Sequence, residues 1–365
     1  MPFDVRDFPA GAEAAARNRR LVGGWLLAVA FMVFVMIVLG GATRLTGSGL
    51  SIMEWAPLRG ALPPLSEAEW QRLFRLYQAI PQYALMHDGF GVAGFKHIFW
   101  LEWTHRLWGR LIGLAFLGPL VWFWARGAIE RRLRPRLALL FVLGGLQGAV
   151  GWFMVASGFF PDSTAVSPYR LVVHLAFALV LYATLLWTGL TVLHPTAEAA
   201  PAAPRGLLKA LLGLLALTIV AGGFTAGLHA GKIYNTFPLM EGRLVPAAYA
   251  DLHPFLRNLT ENLAAVQFDH RLLATLTVLL ALATVGIGLR APQPRRLRRA
   301  LVALAAAVGL QYALGVTTLL HAAPVGLATT HQAGAVLLLT AVIVALHAGR
   351  RSAAARTLQL VPEPP

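Results

Sequence analysis

Apolar residues fall in runs too long for soluble helices. Uncharged stretches at Leu21–Thr43, Leu137–Pro161, Leu171–Pro195, Ala210–Gly231 and Leu272–Leu289 each reach the roughly 20 residues that cross a hydrocarbon core of about 30 Å. A sixth begins near Trp103 and tolerates Arg106 and Arg110 close to its end. The charge-free stretch from Ala300 to Gly349 is broken at His321-Ala-Ala-Pro324 into two more. The pattern predicts an all-α membrane protein with eight transmembrane helices. The first run exceeds the roughly 7 to 15 residues of a signal-peptide core and lacks a small-residue cleavage site, so it reads as a retained helix. Between the first two spans, Ser66-Glu-Ala-Glu69 is a capping box. Trp70, Leu73, Phe74 and Tyr77 follow at helical spacing, which predicts a short amphipathic helix along the outer membrane face.

Composition agrees: 57% hydrophobic residues, 13% charged residues and a mean hydropathy of +0.64 are far from soluble averages. The net charge of +15 would otherwise suggest nucleic acid, but the arginines flank apolar spans instead of lining a groove. They gather at Arg17, Arg19 and Arg20, at Arg131–Arg136, at Arg295–Arg299 and at Arg350–Arg356, always on one side of an eight-span topology. By the positive-inside rule that side is cytoplasmic, which places both termini inside. The chain has no cysteine, which removes disulfides, thiolate metal sites and covalent heme attachment.

The chain also repeats itself. Glu-Trp-Thr-His-Arg106 is matched by Gln-Phe-Asp-His-Arg271, Gly40-Gly41-Ala42-Thr43 by Gly222-Gly223-Phe224-Thr225, and Gly145–Gly151 by Gly309–Gly315 in the form Gly-Leu-Gln-x-Ala-[Val/Leu]-Gly. A four-span unit keeps both copies in one orientation, unlike the inverted repeats common in transporters. The expected architecture is two tandem four-helix bundles. A cytoplasmic segment 1–20 precedes a first half, 21–193, with a large outer loop, 44–101. A cytoplasmic linker 194–206, a second half 207–348 and a cytoplasmic tail 349–365 follow.

Within each half two histidines lie near the outer ends of helices running in the same direction: His105 and His174, then His270 and His331. Two opposed imidazoles are what a six-coordinate heme iron needs, and ionisable groups inside membranes mark function, so the pattern points to two non-covalent hemes. His87, His97, His229, His253 and His321 belong to outer loops, while His194 and His347 sit at inner helix ends where interfacial solvation suffices. Arg106 and Arg271 follow a candidate ligand, either clamping heme propionates or snorkelling to the interface. Glu102, one turn before His105, has Gln267 as its counterpart. A carboxylate beside one heme alone suggests chemistry there, stabilising a developing cation or moving a proton; the alternative is a structural pair with Arg106.

Gly-Gly-Ala-Thr-Arg-Leu-Thr-Gly-Ser-Gly-Leu-Ser from Gly40 to Ser51, and Phe95-Lys-His-Ile-Phe-Trp-Leu-Glu-Trp-Thr-His-Arg106, resemble the heme A synthases, and the similarity runs from about Asn18 to Gly349. The resemblance implies oxidation of the C8 methyl of heme O to a formyl group through a hydroxymethyl stage. It implies substrate heme at His105 and His174, heme b at His270 and His331, and Glu102 as the catalytic glutamate. It also implies a heme O synthase as supplier, an electron donor or acceptor, and a location in a bacterial plasma membrane or the mitochondrial inner membrane. The cysteine pair that many bacterial members carry in the first outer loop is missing, as in the branch that includes the mitochondrial enzymes. A duplicated b-type cytochrome that only transfers electrons and, more remotely, a transporter are the alternative readings.

Overall fold

A computed structural model describes residues 8–161 and 163–350. The ends of the expected cytoplasmic segment and tail, including Arg351 and Arg356, lie outside the described residues. Eleven α-helices appear among those described: α1 (Phe8–Leu45), α2 (Glu67–Gln78), α3 (Pro81–Met86), α4 (Val92–Ala125), α5 (Arg134–Val155), α6 (Pro168–Leu193), α7 (Arg205–Gly227), α8 (Asn258–Glu261), α9 (Leu263–Arg290), α10 (Arg295–Leu320) and α11 (Val325–Ala348). Eight of them, α1, α4 to α7 and α9 to α11, are long and apolar enough to cross a membrane. The chain is a multi-pass membrane protein.

α1, α6, α7 and α11 form the middle of the bundle. One core runs through both halves of the chain, joining Leu26, Val29 and Val33 of α1, Leu185 of α6, Leu211 and Leu215 of α7, and Val336 and Val342 of α11. Phe31, Leu114, Val142, Val180, Leu279 and Leu310 point outward and are exposed, as a lipid solvent permits. Polar bonds tie helices where packing alone gives little specificity in lipid. Tyr182 Oη and Thr340 Oγ1 are 2.6 Å apart, Gln332 Nε2 donates to the Ile37 carbonyl at 2.7 Å, and the Arg44 guanidinium donates to the Ala226 carbonyl. All three join α1 or α6 to α7 or α11.

Two elements extend beyond their expected bounds. α4 begins at Val92 instead of near Trp103, and its 34 residues run about 50 Å, so its first turns stand above the bilayer within the expected outer loop. They are held there by α2. Ser66 Oγ caps α2 by accepting from Glu69 N–H at 3.2 Å. The face carrying Trp70, Leu73, Phe74 and Tyr77 then packs on Phe95, Ile98 and Phe99 of α4. The amphipathic helix therefore buries its apolar face in protein, not in lipid. Arg72 bridges Glu54 and Glu69, and its hydrogen bonds hold both carboxyls below the usual carboxylate range.

Candidate active site

Each of the four histidines sits in the first half of its helix, and each imidazole lies against a glycine of the preceding span. A methyl group built on Gly40 of α1 would come within 3.0 Å of His105 Nε2. On Gly151 of α5 it would lie 2.9 Å from His174 Cε1, on Gly222 of α7 2.8 Å from His270 Cε1, and on Gly315 of α10 2.9 Å from His331 Cε1. The last three are shorter than real Cβ contacts and the first is tighter than most, so with any other residue the ring or its helix would have to shift. The repeated Gly-Gly and Gly-Leu-Gln motifs thus have a physical reason that their sequence alone does not reveal.

The second glycine of each Gly-Gly pair faces the other half. Gly41 meets Gln332, the residue after His331. Gly223 meets Val172, two residues before His174, where an added methyl would lie 2.9 Å away. α1 and α7 therefore each pass between a histidine of their own half and the histidine-bearing helix of the other.

The same motifs orient the rings. Gln147 and Gln311 lie one turn before Gly151 and Gly315 on the same helix face. Gln147 Nε2 is 3.2 Å from His174 Nδ1 and donates to the His174 carbonyl at 3.1 Å; Gln311 makes the matching contacts at 3.1 and 3.0 Å to His331. His270 Nδ1 lies 3.1 Å from the Thr218 carbonyl, and Thr218 Oγ1 is 2.8 Å from Thr277 Oγ1. His105 has no side-chain hydrogen bond among the described residues. Facing a carbonyl, His270 Nδ1 carries the proton and leaves Nε2 free to bind a metal, the usual arrangement when a second partner fixes a ligating ring; Nδ1 of His174 and of His331 instead faces an amide nitrogen, which can only donate.

The His270 and His331 ring centres are 6.4 Å apart, with planes inclined by 78°. A metal–imidazole bond of about 2 Å, with the ring centre about 1 Å behind each nitrogen, places two trans ligands roughly 6 Å apart. That spacing would let the pair hold a heme iron between them. Among the described residues no group of three or more His, Cys, Asp or Glu gathers to hold a bare ion, so two ligands suit a metal whose other positions come from a porphyrin.

Glu102 is 2% exposed and its carboxylate is fully engaged. It accepts from Ser51 Oγ at 2.7 Å, from Ile52 N–H at 2.8 Å and from Arg106 Nη2 and Nε at 2.6 and 3.0 Å. Arg106 also donates to the Ile52 and Glu54 carbonyls at 2.7 and 2.8 Å. This network pins the first outer loop to α4. Gly47, in the left-handed conformation at φ 70°, ends α1 and turns the chain so that Ser51 reaches Glu102. The second half repeats the scheme with an amide. Gln267, also 2% exposed, accepts from Arg271 Nη2 at 2.9 Å and donates to the Ala230 carbonyl at 2.7 Å and to that of Ile233. Arg271 donates further to the Thr236 and Tyr234 carbonyls.

The structure therefore gives both arginines to loop carbonyls. Arg271 keeps one buried donor, Nε, without a partner. Of the histidines read as bystanders, His347 differs from expectation. It is fully buried, 3.2 Å from Thr191 Oγ1, with Arg296 Nη2 and Arg350 Nη1 at 3.3 and 3.0 Å from its Nδ1. Neighbouring side chains, not interfacial water, satisfy it.

Eight apolar spans with paired histidines at one end define a class, the multi-pass membrane proteins that handle heme. Comparison with known proteins narrows it. Residues 23–343 match the COX15-CtaA family, described as cytochrome oxidase assembly protein. A heme A synthase of Granulibacter bethesdensis is 64% identical over 336 residues, covering 92% of this chain and 88% of the relative. One from Rhodospirillum centenum is 50% identical, covering 93% and 91%, and heme A synthase 2 of Acidiphilium cryptum is 48% identical, covering 90% and 92%. The chain belongs to the COX15-CtaA family.

Proposed function

We propose that this protein is a heme A synthase: a membrane oxidoreductase that converts the C8 methyl of heme O to a formyl group by way of the alcohol, for cytochrome oxidase biogenesis. The observation that carries the reading is family membership over most of the chain. In the site, four histidines stand at matched repeat positions against four glycines. Methyl to alcohol and alcohol to aldehyde are each two-electron oxidations: with water as the oxygen source an acceptor takes the electrons, and with dioxygen as the source dioxygen is the oxidant and a donor supplies its remaining electrons.

His105 and His174 would hold the iron of substrate heme, and His270 and His331 that of a resident heme b. When bound, heme b supplies a one-electron relay between the reacting heme and an external donor or acceptor. The protein's own residues do the rest. Thr218 and Gln311 fix the second pair of rings, while Gln147 alone fixes the first pair, leaving the His105 ring free to adjust to a substrate that enters and leaves. Glu102, one turn from His105, shielded from water and held by Arg106, Ser51 and Ile52, would stabilise positive charge or take a proton at the reacting carbon. Hemes extracted from the purified protein test the reading. A synthase yields heme B together with heme O, heme A or the alcohol; heme B alone would make it an electron carrier, and absence of heme would leave a transporter.

Residues 21–193 are then the substrate half and 207–348 the heme b half, with the linker 194–206 and both termini in the cytoplasm and the histidines toward the outer face of the plasma membrane. In this family context heme O synthase is the natural supplier of an insoluble substrate. Arginine asymmetry supports the orientation. Reporter fusions should show a cytoplasmic signal from the linker near Pro201 and an external one near Glu67. Alkaline phosphatase activity from the linker fusion would overturn the topology.

A further inference from the structure

At the end of the bundle opposite the histidines, α10 and α11 form an open cavity of about 630 Å³ with the linker. It is lined by Glu198, Arg295, Arg296, Arg299, Ala300, Ala303 and Val344. Arg299 lies twelve residues from Gln311 along α10, roughly 18 Å at 1.5 Å per residue, so the cavity is separate from the site described above. Three guanidinium groups face one carboxylate there. Arg295 and Arg299 make no hydrogen bond or ion pair among the described residues. Arg296 does not neutralise its charge either: it points at Nδ1 of His347, toward which Arg350 also points.

The walls below the charges are small and apolar. Ala303 is exposed, and its helix face continues through Ala307 to Leu310, which faces lipid. Positive charge at the interface above a shallow apolar groove matches an amphiphile with an anionic head and an acyl chain. A soluble phosphate would use only the upper part. Basic pockets between spans at a membrane surface bind anionic lipid headgroups for the same reason.

We propose that this cavity is a binding site for an anionic phospholipid, its phosphodiester held by Arg295, Arg296 and Arg299 and one acyl chain lying over Ala303. The lipid supplies the counter-charge that Arg295 and Arg299 do not find among the described residues. Thermal unfolding of the full-length protein in neutral detergent tests this, titrated with phosphatidylglycerol, phosphatidylcholine or inorganic phosphate. Phosphatidylglycerol should raise the midpoint saturably, and the other two should not at matched concentration. Arg295→Gln/Arg299→Gln, at exposed positions that spare the fold, should weaken the apparent affinity on the order of tenfold or more. Arg131→Gln/Arg132→Gln, in another loop at the same end, should not.

Equal responses to phosphatidylglycerol and phosphatidylcholine would overturn the proposal. So would a double variant at 295 and 299 that binds like wild type, or an equal loss in the 131 and 132 control, which would reduce the effect to diffuse surface charge. If inorganic phosphate alone reproduces the shift, the site takes a soluble anion and not a lipid.

Discussion

Glu102→Gln is expected to keep both hemes bound while heme A formation falls by about 10² to 10⁴, the usual worth of a positioned acid–base group. The second half of the molecule is the internal control for folding. Gln267 occupies the equivalent position, accepts from Arg271 and holds its loop through backbone carbonyls. An amide at 102 can likewise accept from Arg106, at the loss of one or two of the contacts to Ser51 and Ile52, each worth about 1 kcal/mol. Glu102→Ala would be a poor test, because it strands a half-buried Arg106 without its partner, and breaking such a pair costs about 3 to 5 kcal/mol. In cells that also make heme O synthase, the hemes extracted with the Gln variant should be heme O or its alcohol with little heme A. Wild-type heme A from a stable Glu102→Gln protein would mean that the Arg106 ion pair is the whole purpose of the carboxylate.

The spans were legible because a hydrocarbon solvent imposes one requirement, length of apolar run, that each segment meets by itself. Their ends were not, since what holds α4 upright above the bilayer is its aromatic contact with α2, residues distant in sequence. The capping box placed α2 correctly, yet amphipathicity says only that one face is buried and cannot distinguish lipid from the side of another helix. At the site, the four histidines, Glu102, Arg106 and Arg271 stood out from spacing and repetition. The directions of their side chains did not. Adjacency to a candidate ligand left Arg106 equally suited to a heme propionate or to solvent, whereas the folded loop offers it the Ile52 and Glu54 carbonyls. Gln147, Gln311 and the glycines at 40, 151, 222 and 315 were visible as repeated letters without a role. Their meaning lies across a helix interface, where a missing Cβ on one span makes room for an imidazole on the next. His347 escaped for the same reason: besides the neighbouring Arg350, Thr191 of α6 and Arg296 of α10 converge on it, and both are distant in sequence.

His270→Ala and His331→Ala should each abolish the low-spin b-type signal in the reduced-minus-oxidised spectrum, the largest effect expected of any single substitution here. Either change would remove one of the two proposed ligand imidazoles, whose ring centres stand 6.4 Å apart, and with it half of the protein anchorage of the heme they would hold. Loss of signal alone does not separate a ligand from a residue needed for folding, so the facing glycines provide the discriminating variants. Gly222→Ala and Gly315→Ala place a methyl 2.8 and 2.9 Å from the Cε1 atoms of His270 and His331 without touching either ring's chemistry. The ring must turn or its helix must move by a few tenths of an ångström, and the hydrogen bond at Nδ1 to Thr218 or Gln311 is strained in turn. Heme should therefore remain, weakened, with a shifted low-spin electron paramagnetic resonance signal, because that signal depends on the angle between the two ligand planes. Gly286→Ala in α9, where an added methyl meets nothing within 4 Å, should leave the signal as it is in wild type. The assignment fails if both histidine variants keep an unaltered b-type spectrum. If the histidine variants lose it while Gly222→Ala and Gly315→Ala are spectroscopically silent, the histidines remain ligands, but the glycine contacts do not set their orientation in the heme-bound protein.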